Sequence, residues 1–373
     1  MDPQPIDNEQ QGIDNNNPNV AQPQADVRTN LEAFNKKYPF WLGMPIIGEG
    51  AFGRVYKGYD TEEDTEVALK QFQNGNNDQL QSFMRELRIL TIIKESEEDN
   101  EIRDNGHTVP FVCYHSNPQM RSPSFLVLGL MDRTLHYEVQ LKKQNELSLS
   151  FDEIRDLGRQ IARGLKYLET NLDIIHADLK PANLMFANDY SNQLRIIDFG
   201  HAFVRTNYNY HHIQTAEYRA MEVFLERGPY TNAIDIWSFG CILVYMYTAK
   251  HLFTSNIDRE RKIVHQIVRT LGMPPEELML RNPICYRYFT YDDGQWKTKR
   301  LWLWEEDGIE PRRRNVEQFL NANRKQEQTE EFRNFVELIE QMLDYNVNSR
   351  IRLAHIIDHP FLTPPAPRRC RLN

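Results

Sequence analysis

Residues 176–185 read HADLKPANLM and set a carboxylate (Asp178), an ammonium (Lys180) and an amide (Asn183) among Leu179, Pro181, Leu184 and Met185. Three kinds of polar group on an apolar frame suit a loop that gathers them into one site. Asp178 is of the type that accepts the proton of an attacking hydroxyl, and Lys180 of the type that offsets charge on a group in transfer. Farther along, in RIIDFG, Asp198 follows Ile196 and Ile197. Asn183 and Asp198 both offer hard oxygen, the donor that magnesium takes when phosphates already bridge it.

Upstream, residues 47–55 read IGEGAFGRV: Ile47, Gly48, Glu49, Gly50, Ala51, Phe52, Gly53, Arg54 and Val55. Glycines at 48, 50 and 53 let the backbone approach phosphates and present its N–H groups to them. Dinucleotide-binding turns share this spacing, but they run from strand into helix, whereas these glycines lie between two strand-like runs. In VALK, strand alternation puts Ala68 and Lys70 on one face and Val67 and Leu69 on the other. Glu86 falls on the apolar face of the next helix, between Phe83 and Leu90. A carboxylate facing a core is costly unless paired. Lys70 is the natural partner, and the pair would hold the lysine against nucleotide phosphates. Taken singly, Lys70 also reads as an exposed strand lysine and Glu86 as a surface residue. The order and spacing of the whole set carry the specificity.

These groups need elements to position them. PIIGEGAFGRVYKGYD, EVALKQF, PFVCYH and SFLVLGLM read as strands. Between them a helix is predicted over about 78–94, with Leu80, Phe83, Leu87 and Leu90 at helical spacing. After about residue 132 the pattern turns helical. Ile154, Leu157, Ile161, Leu165 and Leu168 form one stripe, and AIDIWSFGCILVYMYTA is apolar on nearly every side, as a central buried helix would be. RKIVHQIVRTLG and TEEFRNFVELIEQML complete a helical half. The polar stretch 305–330 reads as an exposed insert. Residues 1–30, rich in Asn, Gln and Pro, read as a disordered tail, and 363–373 as a short C-terminal tail.

Bulk composition narrows the class. With 373 residues, 40% hydrophobic and 26% charged, the chain has the balance of a soluble globular protein with room for two lobes. A net charge of -9 argues against direct nucleic-acid binding through phosphate contacts. CILVYMYTA is too short to span a bilayer, which needs about 20 residues, and the N-terminus lacks the pattern of a signal peptide. Cys113, Cys241, Cys285 and Cys370 are widely spaced without a CxxC pair, which fits free thiols in a reducing compartment. An intracellular protein, nuclear or cytoplasmic, is expected.

Over about residues 39–362 these motifs resemble the eukaryotic protein kinases. The resemblance implies an α+β fold of two lobes, strand-rich over about 39–131 and helical over about 132–362. It implies ATP in the cleft between them, with Mg2+, and a hinge at 129–131 that includes Met131 and is preceded by Leu128 as gatekeeper. It further implies that Asp235 in DIWSFG braces the catalytic loop, that Arg350 pairs with Glu222, and that Thr215 contacts Asp178 and Lys180 as in serine/threonine kinases. YRA at 218–220 looks like the group that holds cyclin-dependent, mitogen-activated and dual-specificity tyrosine-regulated kinases, and within it HADLKPAN, FLVLGLMDRTLHYEV and LGMPPEEL resemble the homeodomain-interacting and dual-specificity branch. That branch's homeodomain-interacting members also carry alanine at the position of Ala177, where most kinases have arginine. Protein substrates follow from the resemblance, transcription regulators among them by that resemblance alone.

The sequence also departs from the pattern. Met221 stands where A-P-E has proline, and His212 and Ala216 stand where the family has a phosphorylatable tyrosine and an arginine. Met221 would loosen that turn while keeping Glu222, and His212 and Ala216 touch the substrate floor, which argues against assuming a preference for proline after the target residue. Lys180, two residues after Asp178, favours serine or threonine as acceptor, with tyrosine autophosphorylation left open. The competing reading is a pseudokinase scaffold that binds nucleotide without turnover. A dinucleotide-dependent enzyme would leave every motif but the glycines unexplained.

Overall fold

The computed structural model describes residues 31–363 apart from 40–42, 51–52, 73–76, 101–105, 117–122, 189–191, 208–212, 226–227, 255–258, 281–282, 293, 299–314 and 325–327. The expected N-terminal tail, the C-terminal tail beyond 363, Cys370, His212 and half of the expected insert lie outside the described residues.

The small lobe is a five-stranded antiparallel sheet in the order β1-β2-β3-β5-β4. Its strands are β1 (Ile46–Gly50), β2 (Gly53–Asp60), β3 (Thr65–Phe72), β4 (Phe111–His115) and β5 (Ser124–Gly129), preceded by helix α1 (Leu31–Lys37) and interrupted by α2 (Asn77–Asp99). Alternation along β3 sorts its side chains as expected. Ala68 joins the core that includes Phe83 and Leu87 of α2, while Val67 and Leu69 pack on the opposite face with Phe125 and Val127. β3 and β5 pair with Ala68 opposite Leu128 and Lys70 opposite Leu126.

That opposite face is covered by α1, which the sequence reading missed. Phe34 and Tyr38, four residues apart and therefore on one side of the chain, are both fully buried against it. The Tyr38 hydroxyl donates to Asp60 Oδ2 at 3.0 Å, and the Thr61 N–H donates to the Lys37 carbonyl at 3.1 Å. The turn after β2 thus satisfies a carbonyl at the end of α1 that has no partner within the helix. The small-lobe core therefore includes residues ahead of the expected start at 39.

Two helix readings need correction. On α2, Phe83, Leu87 and Leu90 are buried, but Leu80 is 37% exposed. Its place in the apolar spacing lies in the first turn, short of the packed stretch, and the helix runs past 94 to Asp99. In the expected insert, residues 316–323 form a helix with Val316 and Leu320 buried four residues apart. Asn315 caps it by accepting from the Gln318 N–H at 2.8 Å. The polar composition of the stretch hid this short apolar pair.

The large lobe begins with α3 (Leu135–Gln144) and α4 (Phe151–Leu172) and continues with the short strands β6 (Ile174–Ile175), β7 (Leu184–Phe186), β8 (Leu194–Ile196) and β9 (Phe203–Val204). Then come α5 (Met221–Leu225), α6 (Ala233–Thr248), α7 (Arg259–Leu271), α8 (Glu276–Leu280), the hairpin β10 (Phe289–Asp292) and β11 (Gln295–Thr298), α9 (Val316–Asn323), α10 (Glu330–Met342) and α11 (Leu353–Asp358). A capping box between Ser150 and Glu153 starts α4, whose expected stripe is wholly buried. From Ile234 to its end α6 is buried on every side, the central position its uniform hydrophobicity calls for. The architecture is a bilobal α+β fold. No helix among the described residues is long and apolar enough to cross a membrane.

Candidate functional site

The HADLKPAN sequence lies between β6 and β7, and the backbone there is held from below. Ala177 has φ 59°, a left-handed conformation that costs a residue with a Cβ unless its surroundings fix it. Asp235, on the first turn of α6, does so by accepting the N–H of His176 at 2.8 Å and of Ala177 at 2.9 Å. Burial pushes the Asp235 carboxyl above its ordinary value, opposed by His176. His176 is fully buried. Its Nδ1 accepts from the Asp178 N–H at 3.2 Å, so the ring proton sits on Nε2, which donates to the Ile197 carbonyl at 3.0 Å. The loop is thereby tied to the strand that delivers Asp198.

Asp178 is held on both oxygens. Thr215 donates to Oδ1 through its N–H at 2.9 Å and its hydroxyl at 2.7 Å. Lys180 Nζ donates to Oδ2 at 2.7 Å and to Thr215 Oγ1 at 3.0 Å. Asn183 Nδ2 donates to the Asp178 carbonyl at 2.9 Å. A carboxylate fixed this way keeps one orientation, as a group that must meet an incoming hydroxyl requires.

Across the cleft, Lys70 Nζ lies 2.9 and 2.7 Å from the two Glu86 oxygens and 2.8 Å from Asp198 Oδ1. Glu86 is 1% exposed, so the sequence argument that it needs a buried partner meets that partner here. Burial pushes the Glu86 carboxyl up to about 7, against the pull of Lys70. Burial works against the Lys70 ammonium, but Asp198 and Glu86 together hold it above its ordinary value. Burial likewise opposes ionisation of Asp198, yet Lys70 foremost holds that carboxyl well below the usual range.

All of this opens on one cleft of about 640 Å³ between the lobes. Ile47, Gly48, Glu49, Gly50, Gly53 and Val55 line its roof. Arg54 does not; its side chain turns outward and its Nε donates to Glu49 Oε1 at 2.9 Å. Ala51 and Phe52 lie outside the described residues. Gly53, at φ 143°, is a position only glycine fills, because an added Cβ would lie 1.8 Å from the Gln71 carbonyl oxygen. Ala68, Leu128 and Met131 line the apolar end, and Lys70, Glu86, Asp178, Lys180, Asn183 and Asp198 the polar end. The sequence reading did not single out Val109, Met185 or His201, which also line the cleft. The first two carry no signal beyond hydrophobicity. His201 follows Asp198 closely enough that its position was a clue.

One further expected pairing is present. Arg350 meets Glu222 through two bonds, Nη1 to Oε1 at 2.7 Å and Nη2 to Oε2 at 3.0 Å. Met221, in the place of the usual proline, is fully buried beside it, so the substitution leaves this anchor in place. Among the described residues no cluster of three or more His, Cys, Asp or Glu side chains could hold a metal alone. A cation here would need oxygens from the substrate side, which suits magnesium carried in on phosphates. The sequence matches the family model for the protein kinase domain over residues 43–362.

Proposed function

The chain belongs to the protein kinase family, and on that premise we propose that it is a catalytically active serine/threonine kinase using ATP and Mg2+. One observation carries the reading. The Asp178–Lys180–Thr215 cluster and the Lys70–Glu86–Asp198 cluster, both with intact bonding, face the same cleft. A scaffold with no turnover has no use for an aspartate pinned on both oxygens and left facing that cleft.

In this reading the apolar end, Ala68, Leu128 and Met131, takes the adenine, and the glycine strands close over the phosphates. Lys70, steadied by Glu86, draws on the phosphate oxygens. Asp198 and Asn183 would hold the metal, which supplies charge neutralisation across the phosphates when bound. Asn183 spends its amide nitrogen on the Asp178 carbonyl, so its carbonyl oxygen is the atom left to face a cation. Asp178 accepts the proton of the acceptor hydroxyl, and Lys180 offsets the charge that builds on the transferring group. The Lys180–Thr215 bond at 3.0 Å ties the acceptor side of the cleft to the loop and supports serine or threonine as the acceptor. The motifs at 176–183 and 218–220 support the homeodomain-interacting and dual-specificity branch, and the reading carries an intracellular setting with it.

A peptide-library phosphorylation assay with purified protein and Mg-ATP tests this directly. Serine or threonine should be modified, and Asp178→Asn should reduce turnover to no more than a few per cent while leaving nucleotide affinity nearly unchanged. Absence of phosphoryl transfer by the wild type would make the protein a pseudokinase. A substantially active Asp178→Asn variant would remove Asp178 as proton acceptor.

A further inference from the structure

The Ala177 side chain offers neither charge nor donor to a phosphate on the activation segment, yet the stretch 213–220 of that segment is bonded to the catalytic loop. The residue that seats it is Gln214. Its side chain is 5% exposed, and every hydrogen-bonding group it has is engaged. The backbone N–H donates to the Ala177 carbonyl at 2.7 Å. The backbone carbonyl accepts from Arg219 Nε at 3.2 Å and Nη2 at 2.9 Å. Nε2 donates to the Ile234 carbonyl at 2.9 Å and to Ser238 Oγ at 2.8 Å, both on α6. Oε1 accepts the Ala220 N–H at 3.0 Å. Ser238 Oγ in turn donates to the Tyr218 carbonyl at 2.8 Å.

The amide side chain therefore joins the start of α6 to the chain leading to α5, and the backbone N–H of the same residue ties both to the catalytic loop. The next residue is Thr215, whose two bonds orient Asp178. Ala177, whose carbonyl accepts the Gln214 N–H, and the adjoining Ile213 are both buried. Arg219 is committed as well, with Nη1 on Glu260 at 2.6 Å and its guanidinium 5.0 Å from the Phe224 ring. Gln214 itself has φ 61°, a conformation that costs free energy for a non-glycine residue and persists only where surrounding contacts over-determine it. Those contacts are the bonds just described.

We propose that Gln214 is a positioning residue that holds Thr215, and through it Asp178, in the working arrangement without a phosphate on the activation segment. The proposal rests on the kinase reading above and adds the means by which the site stays assembled. A buried amide that fulfils both donors and its acceptor leaves several partners unsatisfied when it is removed.

The test uses the full chain. Wild-type protein is treated with phosphatase, checked by mass spectrometry for loss of phosphate, and assayed on peptide substrate. It should keep most of its turnover. Gln214→Ala should lower kcat by about tenfold or more with nucleotide affinity changed by less than about twofold, since the adenine and phosphate contacts are untouched. Ser238→Ala should give a smaller loss, and the double variant should be no worse than Gln214→Ala, because the two act as one unit. If Gln214→Ala does not fold, Gln214→Glu takes its place. It keeps the skeleton and the acceptor for Ala220 but loses the donors to Ile234 and Ser238, and kcat should fall in the same way. Retention of more than about half of the wild-type kcat in these variants would overturn the proposal, as would a parallel loss of nucleotide affinity, which marks general unfolding. A dephosphorylated wild type about a hundredfold less active would overturn it too. A wild type inactive before any treatment would instead overturn the kinase reading.

Discussion

Phe34→Ala should loosen the small lobe from its outer face. The Phe34 ring is fully buried and lies 5.3 Å from Phe125, 5.1 Å from Tyr38 and 5.1 Å from the His115 ring. Truncating a buried phenylalanine to alanine costs about 3–5 kcal/mol, the larger values where the site cannot collapse. Half of this site cannot, because Val67, Leu69, Phe125 and Val127 are fixed by strand pairing. The other half can give way by undocking. α1 has seven residues, far below the length at which an isolated helix is stable. The cost is therefore capped near the docking energy of α1, about 3 kcal/mol at the low end of that range. Native-state hydrogen exchange reads it where it acts. Amides of β3 and β5 that open through loss of α1 should exchange about a hundredfold faster in the variant. Glu32→Ala, on an exposed position of the same helix, should change exchange little. Because Ala68 and Lys70 occupy the other face of β3, nucleotide affinity should weaken alongside. Exchange in β3 and β5 within about threefold of wild type would refute the claim that α1 is part of the small-lobe core.

Two other expectations follow from the site. Lys70→Ala and Glu86→Ala should each reduce activity strongly, and the double variant should be little worse than either, because the groups share one contact; fully multiplicative losses in steady-state rates would show that they work apart. Tyr208→Phe and Tyr210→Phe should change kinase activity by only a few-fold, since the bonds of Gln214 hold the stretch 213–220 that contains Thr215; a loss of about a hundredfold in either would mean that a phosphotyrosine contact is needed after all.

The sequence spoke most clearly where a residue contradicted its local pattern. Glu86 interrupts an apolar helix face, and its 1% exposure and two bonds to Lys70 are the physical resolution of that conflict. Uniform hydrophobicity located α6, and strict alternation assigned both faces of β3, because burial on all sides or on one side leaves a period that can be counted. α1 left no such trace. Its two buried rings, Phe34 and Tyr38, sit beside a polar tail, and what buries them is Phe125, distant in sequence. A pair four residues apart cannot announce a helix when its partner is set by tertiary pairing alone. The same holds for Val316 and Leu320 of α9.

Gln214 is the harder case. It lies in HIQTAE, where Ile213, the one large apolar residue, sets no period, so a buried amide there breaks no pattern and looks like loop surface. Its importance lies in what accepts from it and donates to it, Ile234, Ser238 and Ala220, and those are backbone atoms and one serine that carry no distinctive spacing. A buried charge or amide has to be satisfied, but only charge placed against an apolar period reveals that need in the sequence. Asp235 and Arg350 are legible only through the resemblance of DIWSFG and NVNSRI to the kinase pattern, whereas neither pattern nor resemblance singles out Gln214. The positions that hold a site in register are thus the ones sequence reading passes over, and substitution of Gln214 should separate kcat from nucleotide affinity in a way that substitution of Lys70, which faces the phosphates, does not.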